Sequence, residues 1–262
     1  MNDDWELHHG DSPLIATALH AGHDLTPAFA AVISLSDAER LREEDPYTDA
    51  WTDIAPTRIV VRRSRFELDL NRPRSEAVYQ TPEQAWGLKL WRSDLTDALV
   101  ESSQRRHDEF YAMLERVLRA AEDRFGRFVV YDLHSYNHRR GGPDTPAEDP
   151  EANPEINLGT GTLDRDRWGH VADRFMADLR RLEVGGASLD VRENVRFKGG
   201  YMSRWIHDRF PTSGCALAIE VKKTFMDEHT GLLDVPRHAA MREALSATVP
   251  GILSELAVRD AR

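Results

Sequence analysis

A single cysteine, Cys215, stands among the 262 residues, so no disulfide forms within the chain and its core rests on apolar packing. No apolar run approaches the ~20 residues of a membrane span. Residues Met1–Gly10 (MNDDWELHHG) lack the basic start and apolar stretch of a secretory leader. Together these absences predict a cytoplasmic protein with no membrane partner. Excess basic charge is missing as well. The formal net charge is −11, and the densest basic cluster, Arg62, Arg63 and Arg65, runs straight into Glu67 and Asp69. A polyanion would meet a repulsive field, so nucleic acid is not an expected partner. Small anionic ligands remain open, because a pocket needs only a few well-placed cations. Gly141–Gly142 and Gly199–Gly200 lack the Lys-Ser/Thr of a phosphate-binding loop, and there is no Gly-x-Ser-x-Gly elbow.

What is present is the pattern of an α/β enzyme. Hydrophobic residues at 40% and charged residues at 30% exclude wholesale disorder, and the length suits a single domain over 1–262. Leu14–Leu19 is a short apolar run that reads as a buried strand ending at His20. Ser36–Glu44 reads as a helix with Ser36 as N-cap and Glu39 closing a capping box. Arg58–Val61 and Ser64–Leu70 read as strands, the second by alternation of apolar and charged side chains. Gln104–Phe125 repeats apolar residues at helical spacing and stops at Gly126. Phe128–Leu133 is a further strand, again delivering a histidine, His134. Arg139–Glu155 is rich in Pro, Gly and acid and reads as a long loop, of the kind that is functional or mobile. Arg167–Leu182 and Pro236–Val258 read as helices, with Cys215–Val221 as a strand between them. Such alternation predicts a mixed central sheet flanked by helices on both faces, with ligands beyond the strand C-termini.

Three strand ends thus carry His20, His134 and Glu220. A zinc hydrolase needs two or three His or carboxylate ligands and a separate carboxylate base for its water. In Asp132-Leu133-His134 the Asp and His share a face of the strand, which suits a carboxylate that either orients a metal-binding ring or binds the metal beside it. His20-Ala21-Gly22-His23 offers a second histidine near the first. Arg72, in Asp69-Leu70-Asn71-Arg72-Pro73, is suited to bidentate carboxylate binding or to an internal ion pair.

Taken in order, these segments resemble the N-formylglutamate amidohydrolase family, relatives of the zinc carboxypeptidases. The matching motifs are GDSPL (10–14), HAG with LTP (20–27), SRFELDLNRP (64–73), YDLHSY (131–136), NLGT (157–160), RFKGGY-x-x-R (196–204), and the IE strand with FMDE (219–228). The resemblance implies a zinc carboxypeptidase-like (phosphorylase/hydrolase-like) fold and one zinc ion. It implies that His20 and His134 bind the metal and that Glu220 is the general base. The third ligand is either His23 or Asp45, with Glu44 behind them. Asn71 and Arg72 are similar to groups that hold a substrate carboxylate, Arg65 and Arg204 to further anion-binding groups, and Lys198 to a contact for the substrate or the oxyanion. The expected substrate is a small anionic N-acyl amino acid, N-formylglutamate first among them. Lys222 and Lys223, the tryptophans Trp51, Trp86 and Trp91, and the acidic 139–155 loop depart from the family pattern.

Overall fold

The computed structural model describes residues 4–257 and has a seven-stranded mixed sheet at its centre. The strands are β1 (Trp5–His8), β2 (Leu14–Ala18), β3 (Thr57–Val61), β4 (Phe128–Tyr136), β5 (Ile156–Gly159), β8 (Val191–Glu193) and β9 (Gly214–Lys222), while β6 (Glu183–Val184) and β7 (Ala187–Ser188) form a separate hairpin. The sheet order is β1-β3-β2-β4-β9-β5-β8. The central strands β3, β2, β4 and β9 are parallel, whereas β1 runs antiparallel to β3 and β5 antiparallel to β9.

Burial on both faces explains the composition of the central strands. Every residue of β2 and β4 is buried, as a parallel sheet covered twice requires. Val129, Tyr131, Leu133, Leu217 and Ile219 pack against helices α5 (Arg165–Leu179) and α7 (Val235–Ala257). The alternate residues Phe128, Val130 and Ala216 meet α4 (Asp97–Phe125) and α6 (Tyr201–Arg209) on the other face. Each large apolar side chain so buried contributes about 1.5–3 kcal/mol. The short helices α1 (Pro27–Val32), α2 (Asp37–Glu43) and α3 (Thr48–Trp51) lie in the long connection between β2 and β3. In α2 the Ser36 hydroxyl accepts from the Glu39 amide, and the Glu39 carboxylate accepts from the Ser36 amide at 2.8 Å, which is the expected capping box. Among the described residues, no helix is long and apolar enough to cross a membrane.

Helix α4 begins earlier than its apolar spacing indicates, because Thr96 caps it through the Leu99 amide. Helix α5 stops at Leu179, and Val258, the last residue of the expected final helix, lies outside the described residues. Residues 64–70 correct the reading more sharply. They form a turn, with the Glu67 and Leu68 amides both donating to the Ser64 carbonyl at 3.0 Å. Their alternation suggested one wet face, yet Glu67 and Asp69 are fully buried. Glu67 accepts from the Thr26 amide and from Arg106, and Asp69 meets His20. The charges are held by specific partners rather than by water.

Candidate active site

The face of β4 that carries Phe128 and Val130 into the core continues with Asp132 and His134. At the C-terminal end of β4 the α4–α6 layer no longer covers it, and a polar cavity of about 380 Å³ opens there. Matched positions on neighbouring strands, about 4.8 Å apart, share a face. His134 is in register with Glu220 on β9, and Glu220 with Asn157 on β5. One row back stand Asp132, Ala218 and Gly159. His20 follows the end of β2, and its carbonyl accepts from the Asp45 amide at 2.8 Å. Lys223, buried beside this segment, donates to the carbonyls of Arg42 (2.6 Å) and Glu44 (2.7 Å) and so holds the approach to Asp45.

His20, Asp45 and His134 converge: one donor atom from each lies within 4.8 Å of the other two, and all three residues are buried. The Oδ2 of Asp45 is 3.4 Å from His20 Nδ1 and 3.1 Å from His134 Nδ1. The opposite ring nitrogens face carboxylates, His20 Nε2 with Asp69 at 2.8 Å and His134 Nε2 with Asp132 at 3.0 Å. Asp132 also accepts from Thr17 at 3.1 Å. Carboxylates on Nε2 hold the proton there, which leaves both Nδ1 lone pairs aimed at the same carboxylate oxygen. That arrangement is repulsive unless protons or a cation lie between them.

A divalent cation fits the donor set. Tetrahedral donors at about 2.0–2.1 Å from zinc stand roughly 3.3 Å apart, which matches the two separations from Asp45. Three buried carboxylates, those of Asp45, Asp69 and Asp132, surround the two rings, and the guanidiniums of Arg65 (3.1 Å) and Arg72 (3.8 Å) both face Asp69. That leaves Asp45 as the carboxylate a dication would share with the two rings. Without one, burial works against charge at both Asp45 and His134. Their contacts prevail, so the Asp45 carboxyl is held far below its ordinary range by the two histidines, and the His134 ring well above its own by Asp132 and Asp45.

Glu220 stands on the wall of this cavity. Burial pushes its carboxyl up to about 7; His134 opposes the shift, and Asp45 and Asp132 add to it. A bound dication would bring it down again. Asn71, Arg65, Lys198, Arg140, Arg196 and Trp86 line the same space. The Arg196–Gly200 segment passes close over β5, where a Cβ on Gly159 would meet Gly199 N at 2.5 Å. Gly200 likewise leaves room for Asn71, since a Cβ there would lie 2.2 Å from Asn71 Oδ1.

Not every expected residue reaches the cavity. His23 accepts at Nε2 from Arg40 (2.9 Å), since a guanidinium can only donate, and therefore its Nδ1–H donates to Glu44 at 2.5 Å. Neither nitrogen is free for a metal, so the structure groups Asp45, and not His23, with His20 and His134. Glu44 is taken up by His23 and Ser64. Arg72 donates to the Gln84 carbonyl at 2.8 Å with its guanidinium 4.4 Å from the Tyr79 ring centroid, and it is not on the cavity wall. Its Nε stands 3.8 Å from Asp69 and its Nη1 3.7 Å from Glu76, which are internal ion pairs of the kind the sequence left open beside carboxylate binding. Arg204 is also absent from the wall, being on the exposed side of α6. Of the tryptophans, Trp51 and Trp91 are core residues, and only Trp86 borders the cavity.

A family model, N-formylglutamate amidohydrolase, matches residues 12–226. The chain belongs to the N-formylglutamate amidohydrolase family. It is therefore a member of a group of amide-bond hydrolases. Among solved structures it is similar to the N-formylglutamate amidohydrolase of Ralstonia eutropha JMP134, at 18% identity and a TM-score of 0.76, with 97% of this chain and 98% of that one covered. A gene product of Agrobacterium tumefaciens matches at 18% identity and a TM-score of 0.67, covering 97% and 96%. No curated protein sequence matches the chain. Both likenesses extend over nearly the whole chain and are likenesses of fold.

Around this cavity, several residues escaped the sequence reading. Asp69 stood inside the SRFELDLNRP motif, but its pairing with His20 depends on a turn that looked like a strand. Arg140 and Glu43, paired at 3.1 Å, come from segments 97 residues apart. Arg196 was visible as the first letter of RFKGG, with nothing local to set it above the other arginines. His23→Ala should leave metal stoichiometry unchanged while costing about 1–3 kcal/mol of stability, because the buried Glu44 carboxylate loses a hydrogen-bond donor. Metal analysis and denaturant unfolding of the variant check both halves, and loss of bound metal would return His23 to the ligand set.

Proposed function

We propose that the protein hydrolyses the amide bond of an N-acyl amino acid, N-formylglutamate before others, with a zinc ion held by His20, Asp45 and His134. The observation that carries this reading is the convergence of those three donors, each histidine backed by a carboxylate, on a cavity that also holds Glu220. Two nitrogens and a carboxylate oxygen suit zinc, and three protein donors leave a position open. The ion's contribution when bound is Lewis-acid polarisation of the carbonyl and a lowered pKa for water, towards about 7.

The chain's own groups do the rest. Glu220 takes a proton from the attacking water on its carboxylate and hands it to the departing nitrogen. Asp69 and Asp132 keep the Nε2 protons in place, so the rings cannot turn their lone pairs away. Lys198, which makes no ion pair among the described residues, offers its ammonium to the developing oxyanion or the substrate's α-carboxylate. Asn71 and Arg65 bound the space in which that carboxylate is positioned.

Turnover of N-formyl-, N-acetyl- and dipeptide substrates by metal-analysed protein tests the reading. Formate release from N-formylglutamate that a chelator abolishes and zinc restores is the expected result. Hydrolysis of none of the panel, with stoichiometric zinc present, would refute it.

A further inference from the structure

Three guanidinium groups line the cavity, and their hydrogen bonds separate them. Arg65 uses all three nitrogens, on Tyr79 (3.0 Å), the Glu43 carbonyl (3.2 Å) and Asp69 (3.1 Å). Arg140 commits both terminal nitrogens to Glu43, at 3.3 and 3.1 Å. Arg196 commits only Nη1, to Glu148 at 2.8 Å and to Asn153. Its Nε and Nη2, which form the parallel pair of donors on one edge of the guanidinium, have no partner among the described residues.

That open edge is held still. The guanidinium carbon lies 5.4 Å from the Tyr136 ring centroid and 5.7 Å from that of Phe197. The backbone beneath it is clamped by Asn157, a fully buried side chain in register with Glu220. Asn157 accepts from the amides of Arg196 (2.8 Å) and Phe197 (3.3 Å) and donates to the Phe197 carbonyl at 2.8 Å. On the far side the Gly161 amide donates to the Lys198 carbonyl at 2.7 Å. A guanidinium fixed by stacking and by one carboxylate, with its donor pair unused on the wall of a cavity, is prearranged to accept a second carboxylate bidentately.

We propose that Arg196 determines specificity by receiving the side-chain carboxylate of an acidic N-acyl amino acid, with Asn157 as the residue that positions it. This rests on the proposed amidohydrolase reading but adds a separate site and charge requirement. Neutral substrates of the same shape then lose the pairing and leave the Nε–Nη2 edge to water.

The test uses zinc-loaded full-length protein, wild type and Arg196→Gln, titrated calorimetrically with glutarate and with its monoamide, glutaramate. Wild type is expected to favour the diacid. Arg196→Gln is expected to weaken glutarate about 10–100-fold, the worth of a charged hydrogen-bonded contact, while glutaramate changes by less than about 3-fold. The same split is expected in KM for N-formylglutamate against N-formylglutamine, with kcat less affected. Arg196→Lys keeps the stem and the charge but not the paired donors, so it should restore only part of the preference; it also serves if the Gln variant does not fold. Equal weakening of both ligands, or an unchanged preference for the diacid in either variant, would overturn the proposal. Wild-type protein that binds glutarate through Arg196 yet hydrolyses no N-formyl substrate would sink the catalytic reading and leave this one standing.

Discussion

Glu220→Gln is expected to lower kcat by about 10²–10⁴-fold, the usual worth of a positioned general base. Substrate binding and zinc content should hardly move. Glutamine keeps the shape and sits in the same strand register opposite His134, so neither the sheet nor the donor cluster loses a contact. It cannot accept a proton from water at neutral pH, and the departing nitrogen is then left without its proton source. The substitution also removes a carboxyl whose pKa is raised by burial first and further by the charges of Asp45 and Asp132. The variant is therefore expected to be at least as stable as the parent. Single-turnover kinetics with metal analysis and a thermal melt give all three readouts. Activity within about tenfold of wild type would remove Glu220 from proton transfer.

Removing a ligand should be as severe, through a different signature. His134→Ala is expected to abolish stoichiometric zinc binding and, with it, detectable turnover. The wild type should itself lose heat stability on chelation. A ligand present at about 100 times its dissociation constant adds roughly 2.7 kcal/mol to the folded state. For a chain of this size that corresponds to a fall in Tm of about 5–10 °C when the ion is stripped. In the variant, chelator should shift the melt by almost nothing, because there is no ion to withdraw. A variant that still binds one equivalent of zinc tightly would show that the cluster is a hydrogen-bonded polar network and not a metal centre. Asp132 strengthens the expectation. With His134 gone it would keep its bond from Thr17 but lose the ring N–H that faces it in the core.

Where the sequence reading succeeded and where it failed follows from the range of the forces involved. Apolar runs such as Leu14–Leu19 and Cys215–Val221 report strands directly, since strands covered on both faces of a parallel sheet are predominantly apolar. The capping box at Ser36 is equally local and equally legible. Residues 64–70 misled because alternation is read on the premise that charge means water. Glu67 and Asp69 break that premise through Arg106 and His20, partners that lie 39 and 49 residues away. The short strands β5 and β8 passed unnoticed because their pairing, and not their composition, makes them strands.

By itself the sequence determined the class of fold, the family, and the segments that supply His20, His134 and Glu220, because residue type, periodicity and motif order are written along the chain. Only the tertiary structure grouped Asp45, and not His23, with the two histidines, set Arg72 and Arg204 apart from the cavity and brought Arg196 to its wall. Those outcomes depend on where each donor's hydrogen bonds end. His23 is two residues from Ala21 and still belongs to Arg40 and Glu44, while Asp45 reaches across to His134, 89 residues away. A side chain's free valence is settled by its neighbours in space.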